Sequence, residues 1–160
     1  MNIVIDIDEF NKEYVFLQEP VKNNIIDDSK FIRLIYSNNI FALNTVYIVF
    51  KLQIIQIENY FNKHKFIFNV KQNTKTINQM KTIEETILDK IFINNKKPVF
   101  RLYDQLNSGN IKLFPDSLKL HKPNSDNEFI IKISGIWDNE YEYGITYKFV
   151  DMNYVNHELC

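Results

Sequence analysis

Glu128-Phe129-Ile130-Ile131-Lys132-Ile133-Ser134-Gly135-Ile136-Trp137 runs into a break at Asp138-Asn139 and returns as Tyr141 to Val150, with Tyr143-Gly144-Ile145-Thr146-Tyr147-Lys148-Phe149 at its centre. Both runs are β-branched or aromatic. In the second, Tyr143, Ile145, Tyr147 and Phe149 alternate with Thr146 and Lys148, the period-2 pattern of a strand with one buried face. The segment therefore reads as an antiparallel hairpin turning near Asp138-Asn139. Gly135 and Gly144 lie inside its strands, where glycine marks a bulge or a close backbone approach, as at the corner of a small barrel.

Working back from the hairpin, Pro123 to Asn127 reads as a polar loop, Ile111 to Phe114 as a short strand, and Asn107-Ser108-Gly109-Asn110 as a turn. Phe100 to Gln105 fits a short strand or a helical turn. Before it the period changes: Ile77, Met80, Ile83, Ile87, Leu88 and Ile91 fall on one stripe, opposite Asn78, Lys81, Glu84, Glu85 and Asp89. This predicts one helix over about Ile77 to Phe92, capped by Thr74 or Thr76, with Glu84 and Glu85 on its solvated side. From Lys30 to Val70 the chain is β-branched and aromatic, with hairpin turns at Asn38-Asn39 and Asn62-Lys63-His64, so a meander is the simplest topology. The N-terminal runs Ile3-Ile5-Ile7 and Tyr14 to Leu17 add strands. The expected fold is β-rich α+β, an antiparallel OB-like barrel or bent sheet with one helix; a β-sandwich built from the meander is the alternative.

A chain of 160 residues, 45% hydrophobic and 24% charged, has the size and composition of one globular domain, 1–160. No apolar stretch approaches the roughly 18 residues of a membrane span, and the acidic N-terminus has no signal-peptide pattern, so a cytosolic or nuclear protein is expected. Cys160 is the only cysteine, which rules out an internal disulfide and a thiolate zinc site. Three glycines leave no glycine-rich phosphate loop. His64, His121 and His157 are far apart and read as surface residues, so no metal or other cofactor is expected. Asp6-Ile7-Asp8 sets two carboxylates on one strand face, a magnesium-like geometry, but reads better as a solvated edge. Asp126, Glu128 and Lys132 resemble a nuclease order, with the lysine displaced from the spacing that order needs. No nucleophile and base can be paired by spacing, and the chain reads as non-enzymatic.

The net charge of −1 hides a segregation. Residues 1–28 carry −5, residues 29–122 carry +9, and residues 123–160 carry −5. The central segment interleaves Lys30, Arg33, Lys51, Lys63 and Lys65 with Phe31, Tyr36, Tyr47, Phe50, Tyr60, Phe66 and Phe68. Basic side chains that track phosphates beside aromatics that stack on bases are how single strands are bound without sequence preference. Acidic flanks can compete for such a surface or face another protein.

Strands, a helix and a closing hairpin are the element order of the OB-fold. Lys132-Ile133-Ser134-Gly135-Ile136-Trp137 followed by Tyr143-Gly144-Ile145-Thr146-Tyr147-Lys148-Phe149 resembles the closing hairpin of the single-stranded DNA-binding proteins of large DNA viruses and phages. The resemblance implies a protein that coats exposed DNA during replication, without catalysis, and makes Trp137, Tyr143, Tyr147 and Lys148 its family-like residues. The candidate nucleic-acid-binding set is thus Lys30, Arg33, Tyr47, Lys51, Lys63, Lys65, Phe66, Trp137, Tyr143 and Lys148. The competing reading is a structural or protein-interaction component of a virion or assembly. A homodimer through strand edges or the closing hairpin is compatible with both.

Overall fold

The apolar alternations form strands, and the computed structural model describes residues 3–25, 28–113 and 122–150. In chain order the strands are β1 (Val4–Asp6), β2 (Val15–Leu17), β3 (Val21–Lys22), β4 (Lys30–Ser37), β5 (Ala42–Leu43), β6 (Val46–Tyr60), β7 (Lys63–Phe68), β8 (Lys97–Pro98), β9 (Asn110–Leu113), β10 (Ser125–Asp138) and β11 (Glu142–Val150). A main helix, α1 (Thr74–Leu88), and a short one, α2 (Arg101–Asn107), lie between β7 and β9. The fold is β-rich α+β. Pairing among the described residues is antiparallel except between β1 and β6 and between β8 and β11.

β10 is the spine. One of its edges pairs with β6 along Ser125–Ile133 and then with β4 along Gly135–Asp138, while the other pairs with β11 along Ile130–Asp138. The simple meander is therefore replaced by a sheet in which the C-terminal hairpin enters against β4 and β6. The reason lies in composition: Ile130, Ile131, Ile133 and Ile136 are all fully buried, and a strand apolar on both faces belongs in the middle of a sheet. At Ser134 the register shifts by one residue, the bulge that Gly135 suggested, and there β10 passes from one partner to the other. β7 and β9 continue the sheet beyond β6 and bend it until β9 nears β11 without hydrogen-bonding to it, so the sheet is not closed.

The concave face holds the core. Phe129 meets Phe66 edge-on at 5.1 Å and Phe50 at 6.0 Å, and α1 covers them with Ile77, Met80, Ile83, Ile87 and Leu88. Each such side chain contributes about 1.5–3 kcal/mol by leaving water. At one end of the sheet β2, β4 and β5 surround Tyr36, whose ring stacks on Phe10 and Phe41 and whose hydroxyl accepts from the Asn11 amide at 2.9 Å.

Several local expectations change. α1 starts earlier and stops earlier than Ile77–Phe92, and neither threonine caps it: the Thr76 hydroxyl donates to the Lys51 carbonyl and that of Thr74 to the Lys71 carbonyl. Glu84 is fully buried, because it shares the stripe with Met80, Ile87 and Leu88, positions four before and three and four after it. Asp6 and Asp8 do not share a strand face, since the chain turns at Ile7 and the Asp6 carboxylate caps that turn by accepting from the Asp8 amide at 2.9 Å. His64 is a buried strand residue rather than a surface turn; the β6–β7 turn is tighter than expected, at Phe61-Asn62, with Phe61 at φ 53°. β10 begins inside the expected polar loop, at Ser125. Phe114, His121, His157 and Cys160 lie outside the described residues.

Candidate nucleic-acid interface

Alternation along the spine decides which side chains face away from the core. Residues paired across β3, β4, β10 and β11 stand in rows on that convex face: Val21, Phe31, Trp137 and Gly144 in one, Arg33, Gly135 and Thr146 in the next. Beyond the bulge come Tyr47, Lys132 and Lys148, then Val49, Ile130 and Val150, then Lys51 and Glu128.

The first row is where the two strand glycines act. A Cβ on Gly144 would stand 3.0 Å from Trp137 Cζ2, and one on Gly135 would stand 2.8 Å from Phe31 Cζ. Each aromatic ring thus reaches over a glycine of the neighbouring strand, into space that a side chain there would fill. Around them Lys22, Asn23, Asn24 and Ile25 form one wall, and Arg101, Asn139 and Thr146 the other, of an open groove of about 680 Å³. The Asn139 side-chain oxygen is committed to the amides of Tyr141 and Glu142, at 2.9 and 2.8 Å, which leaves its NH2 as the group available to a ligand. The Asn23 oxygen is committed in the same way to the Ile25 amide.

Arg101 closes the groove over the indole. Its guanidinium carbon sits 4.3 Å from the centre of the Trp137 ring, and its Nη2 is 3.9 Å from the Glu142 carboxylate. The backbone beneath it is fixed. Glu84 accepts from the amides of Leu102 and Tyr103 at 3.0 and 2.8 Å, and the Tyr147 hydroxyl donates to the Arg101 carbonyl at 3.2 Å. Burial above all, with Glu84 adding to it, pushes the Tyr147 hydroxyl up to about 12, so this donor keeps its proton at any physiological pH. The acidic β10–β11 turn is largely neutralised. Asp138 is buried, accepting from the Lys30 amide at 2.7 Å and pairing with Lys96 at 2.7 Å.

Of the sequence-based candidates, Trp137 lines the groove and Arg33 stands one row away, exposed; Lys30 is exposed at the start of β4. Lys51 lies at the far end of the same face, 3.8 Å from Glu128, which answers the nuclease-like order by giving Glu128 a lysine partner. Lys148 sits on β11 and, with Lys63, Lys112, Gln105, Tyr147 and Phe149, lines a cleft of about 270 Å³ where β9 approaches β11. Lys65 faces outward opposite Lys112. Three candidates are buried. Phe66 and Tyr143 belong to the core, and Tyr47 packs with Ile130 and Val150 under Lys132. None of the three has a ring face open to a base; Tyr36, Phe50 and Phe68 are buried as well.

Sequence reasoning passed over Phe31 as a site residue, although it belonged to the interleaved aromatic set, and passed over Arg101, one of the basic residues of the positive segment 29–122; Asn23, Asn24 and Asn139 left no signal beyond turn propensity. Among the described residues no cluster of three His, Cys, Asp or Glu side chains is placed to hold a metal ion, and no helix is long and apolar enough to cross a membrane. No family model, curated protein or solved structure matches the chain.

Proposed function

We propose that the protein binds single-stranded nucleic acid without catalysis, bases stacking in the Trp137 groove and phosphates following the convex face of β10 and β11. The observation that carries this reading is the pairing of half-buried, sheet-backed aromatics, Trp137 and Phe31, with Arg101 and Lys22 at the groove, Arg33 one row away, and Lys132 and Lys148 further along the same face. A base can use a flat ring whatever its identity, whereas a duplex keeps its bases stacked on each other. On this reading the bent sheet β9-β7-β6-β10-β11 with α1 is an OB-like barrel left open between β9 and β11, and the role is that of the resembled family, coating exposed viral DNA during replication inside the host cell.

The test uses Trp137, the only tryptophan, as its own reporter. Titration with an oligothymidylate about 30 nucleotides long should quench its fluorescence, and the affinity should fall with salt by about 0.7 logarithmic unit per phosphate neutralised. Trp137→Ala should weaken binding at every salt concentration by about tenfold to a hundredfold, the worth of one stacked base. Arg33→Ala should instead flatten the salt slope, and so should Lys51→Ala, whose exposed pair with Glu128 at 3.8 Å is weak. The absence of both quenching and a mobility shift at low salt would remove the proposal.

A protein-contact role is favoured by one other feature. Phe16 and Ile40 are 54% and 89% exposed beside a cleft of about 380 Å³ at the β2-β4-β5 end, far in the sheet order from β9. Apolar patches of this kind mark protein contacts. If two copies meet there, Phe16→Asp should convert a concentration-dependent dimer into a monomer in sedimentation velocity.

A further inference from the structure

Arg101 already occupies the place that a base would take. Its guanidinium carbon lies over the Trp137 ring, 4.3 Å from the ring centre, on the face a stacked base would use, and its backbone is pinned on both sides by Glu84 and Tyr147. Only the side chain is free to leave. What holds that side chain is weak: a carboxylate, Glu142, at 3.9 Å, with both partners about half exposed, 59% and 42%, and such exposed pairs are worth about 0–1 kcal/mol.

Resting on the nucleic-acid reading, we propose that Arg101 is a placeholder: in the free protein it covers the indole, and binding exchanges it for a base while its guanidinium turns to the phosphate that accompanies that base. The exchange is chemically symmetric, since one flat π partner replaces another on Trp137 and one anion replaces another on Arg101. It keeps a hydrophobic ring covered when no ligand is present, and it restricts productive binding to ligands carrying both a base and a phosphate. A bare polyanion supplies only half of the exchange, and so does a free nucleobase. Glu142 is the competing anion that sets how easily Arg101 leaves.

The experiment has an arm in the free protein and an arm with ligand. In the free protein, Arg101→Ala should raise the acrylamide quenching of Trp137, and Arg101→Lys should raise it partly, because an ammonium is not a plane. With oligothymidylate, Arg101→Ala should lower the salt slope by about 0.7, so that a fourfold rise in salt weakens the wild type about 2.6-fold more than the variant. Glu142→Gln should tighten binding with unchanged slope. An abasic oligonucleotide should bind the wild type weakly and leave Trp137 emission unaltered. If the wild type quenches with oligothymidylate but Arg101→Ala changes neither acrylamide access nor slope, the placeholder is wrong while nucleic-acid binding stands. If an abasic strand alters Trp137 emission as oligothymidylate does, displacement needs no base and the exchange is overturned. If oligothymidylate does not bind the wild type at all, both fall together.

Discussion

Gly135→Ala is expected to lower the melting temperature by about 10 °C or to abolish soluble folding. An alanine Cβ at this position would stand 2.1 Å from the Ile32 carbonyl oxygen and 3.1 Å from its carbon, both backbone atoms of β4 that cannot rotate aside, as well as 2.8 Å from Phe31 Cζ. Relief requires β4 to separate from β10, which breaks the Gly135–Arg33 and Ile136–Ile32 register. Overpacking that moves backbone costs about 3 kcal/mol or more, and each kcal/mol is worth about 2–4 °C in a chain of this size. Gly144→Ala is the control. Its Cβ would meet Trp137, Val99 and the Val99 carbonyl at 3.0–3.1 Å, so a shift of a few tenths of an ångström suffices. The loss should be nearer about 1 kcal/mol, and the change should appear as a displaced Trp137 emission maximum. Thermal unfolding followed by circular dichroism compares the two; equal and small effects would mean that the β4–β10 contact is looser than described.

The second large effect is at Glu84. Its two carboxylate oxygens are the acceptors for two of the free N-terminal amides of α2, Leu102 in a buried bond and Tyr103 in a part-buried one. Glu84→Ala leaves the buried Leu102 amide and the part-buried Tyr103 amide without their acceptor, at about 1–3 kcal/mol for the first and less for the second, and opens a void beside Met80 and Leu88. A loss of about 3–5 kcal/mol is expected in urea unfolding. Glu84→Gln keeps one acceptor oxygen and should lose about half as much. The same carboxyl gives a pH signature. Burial raises its pKa more than the Tyr103 and Leu102 amides lower it, with Asp104 and Glu85 raising it further. The folded protein therefore holds this proton more tightly than the unfolded chain does, so the contribution of Glu84 to stability is greatest below the ordinary carboxylate pKa and declines as pH rises through the folded value. The urea midpoint of the wild type should fall across that window relative to Glu84→Gln; a parallel pair of curves would contradict it.

Those two residues mark what the chain discloses and what it conceals. The closing hairpin, the helical stripe of Ile77 to Leu88, the turn at Asn107 to Asn110 and the unusual glycines were all legible, because each is a local pattern of period, turn chemistry or missing side chain. Alternation also sorted the residues of β11 into two faces, though it misplaced Asp6 and Asp8. What it could not supply was which face of which strand is covered. Tyr143 and Trp137 belong to the same hairpin and looked alike as ligands, yet one is buried in the core beside β8 and the other lines an open groove, a difference set by elements far away in sequence. Phe66 was misread for the same reason. Glu84 was legible in principle, since it lies four residues after Met80 and three and four before Ile87 and Leu88, within the apolar stripe itself. The walls of the groove were not legible at all, since Asn23, Arg101 and Asn139 meet only through the placement of β10.

That placement has a consequence for how the molecule is made. Synthesis proceeds from the N-terminus, so β4 and β6 leave the ribosome long before the strand that lies against both of them. Until residues 125–138 emerge, each has an open edge, and no local closure can satisfy it, because the missing partner is still being translated. The nascent chain must therefore wait for residues 125–138, with long apolar strands such as Val46 to Ile57 exposed to other strands and to chaperones, and native folding is dominated by contacts between distant parts of the sequence.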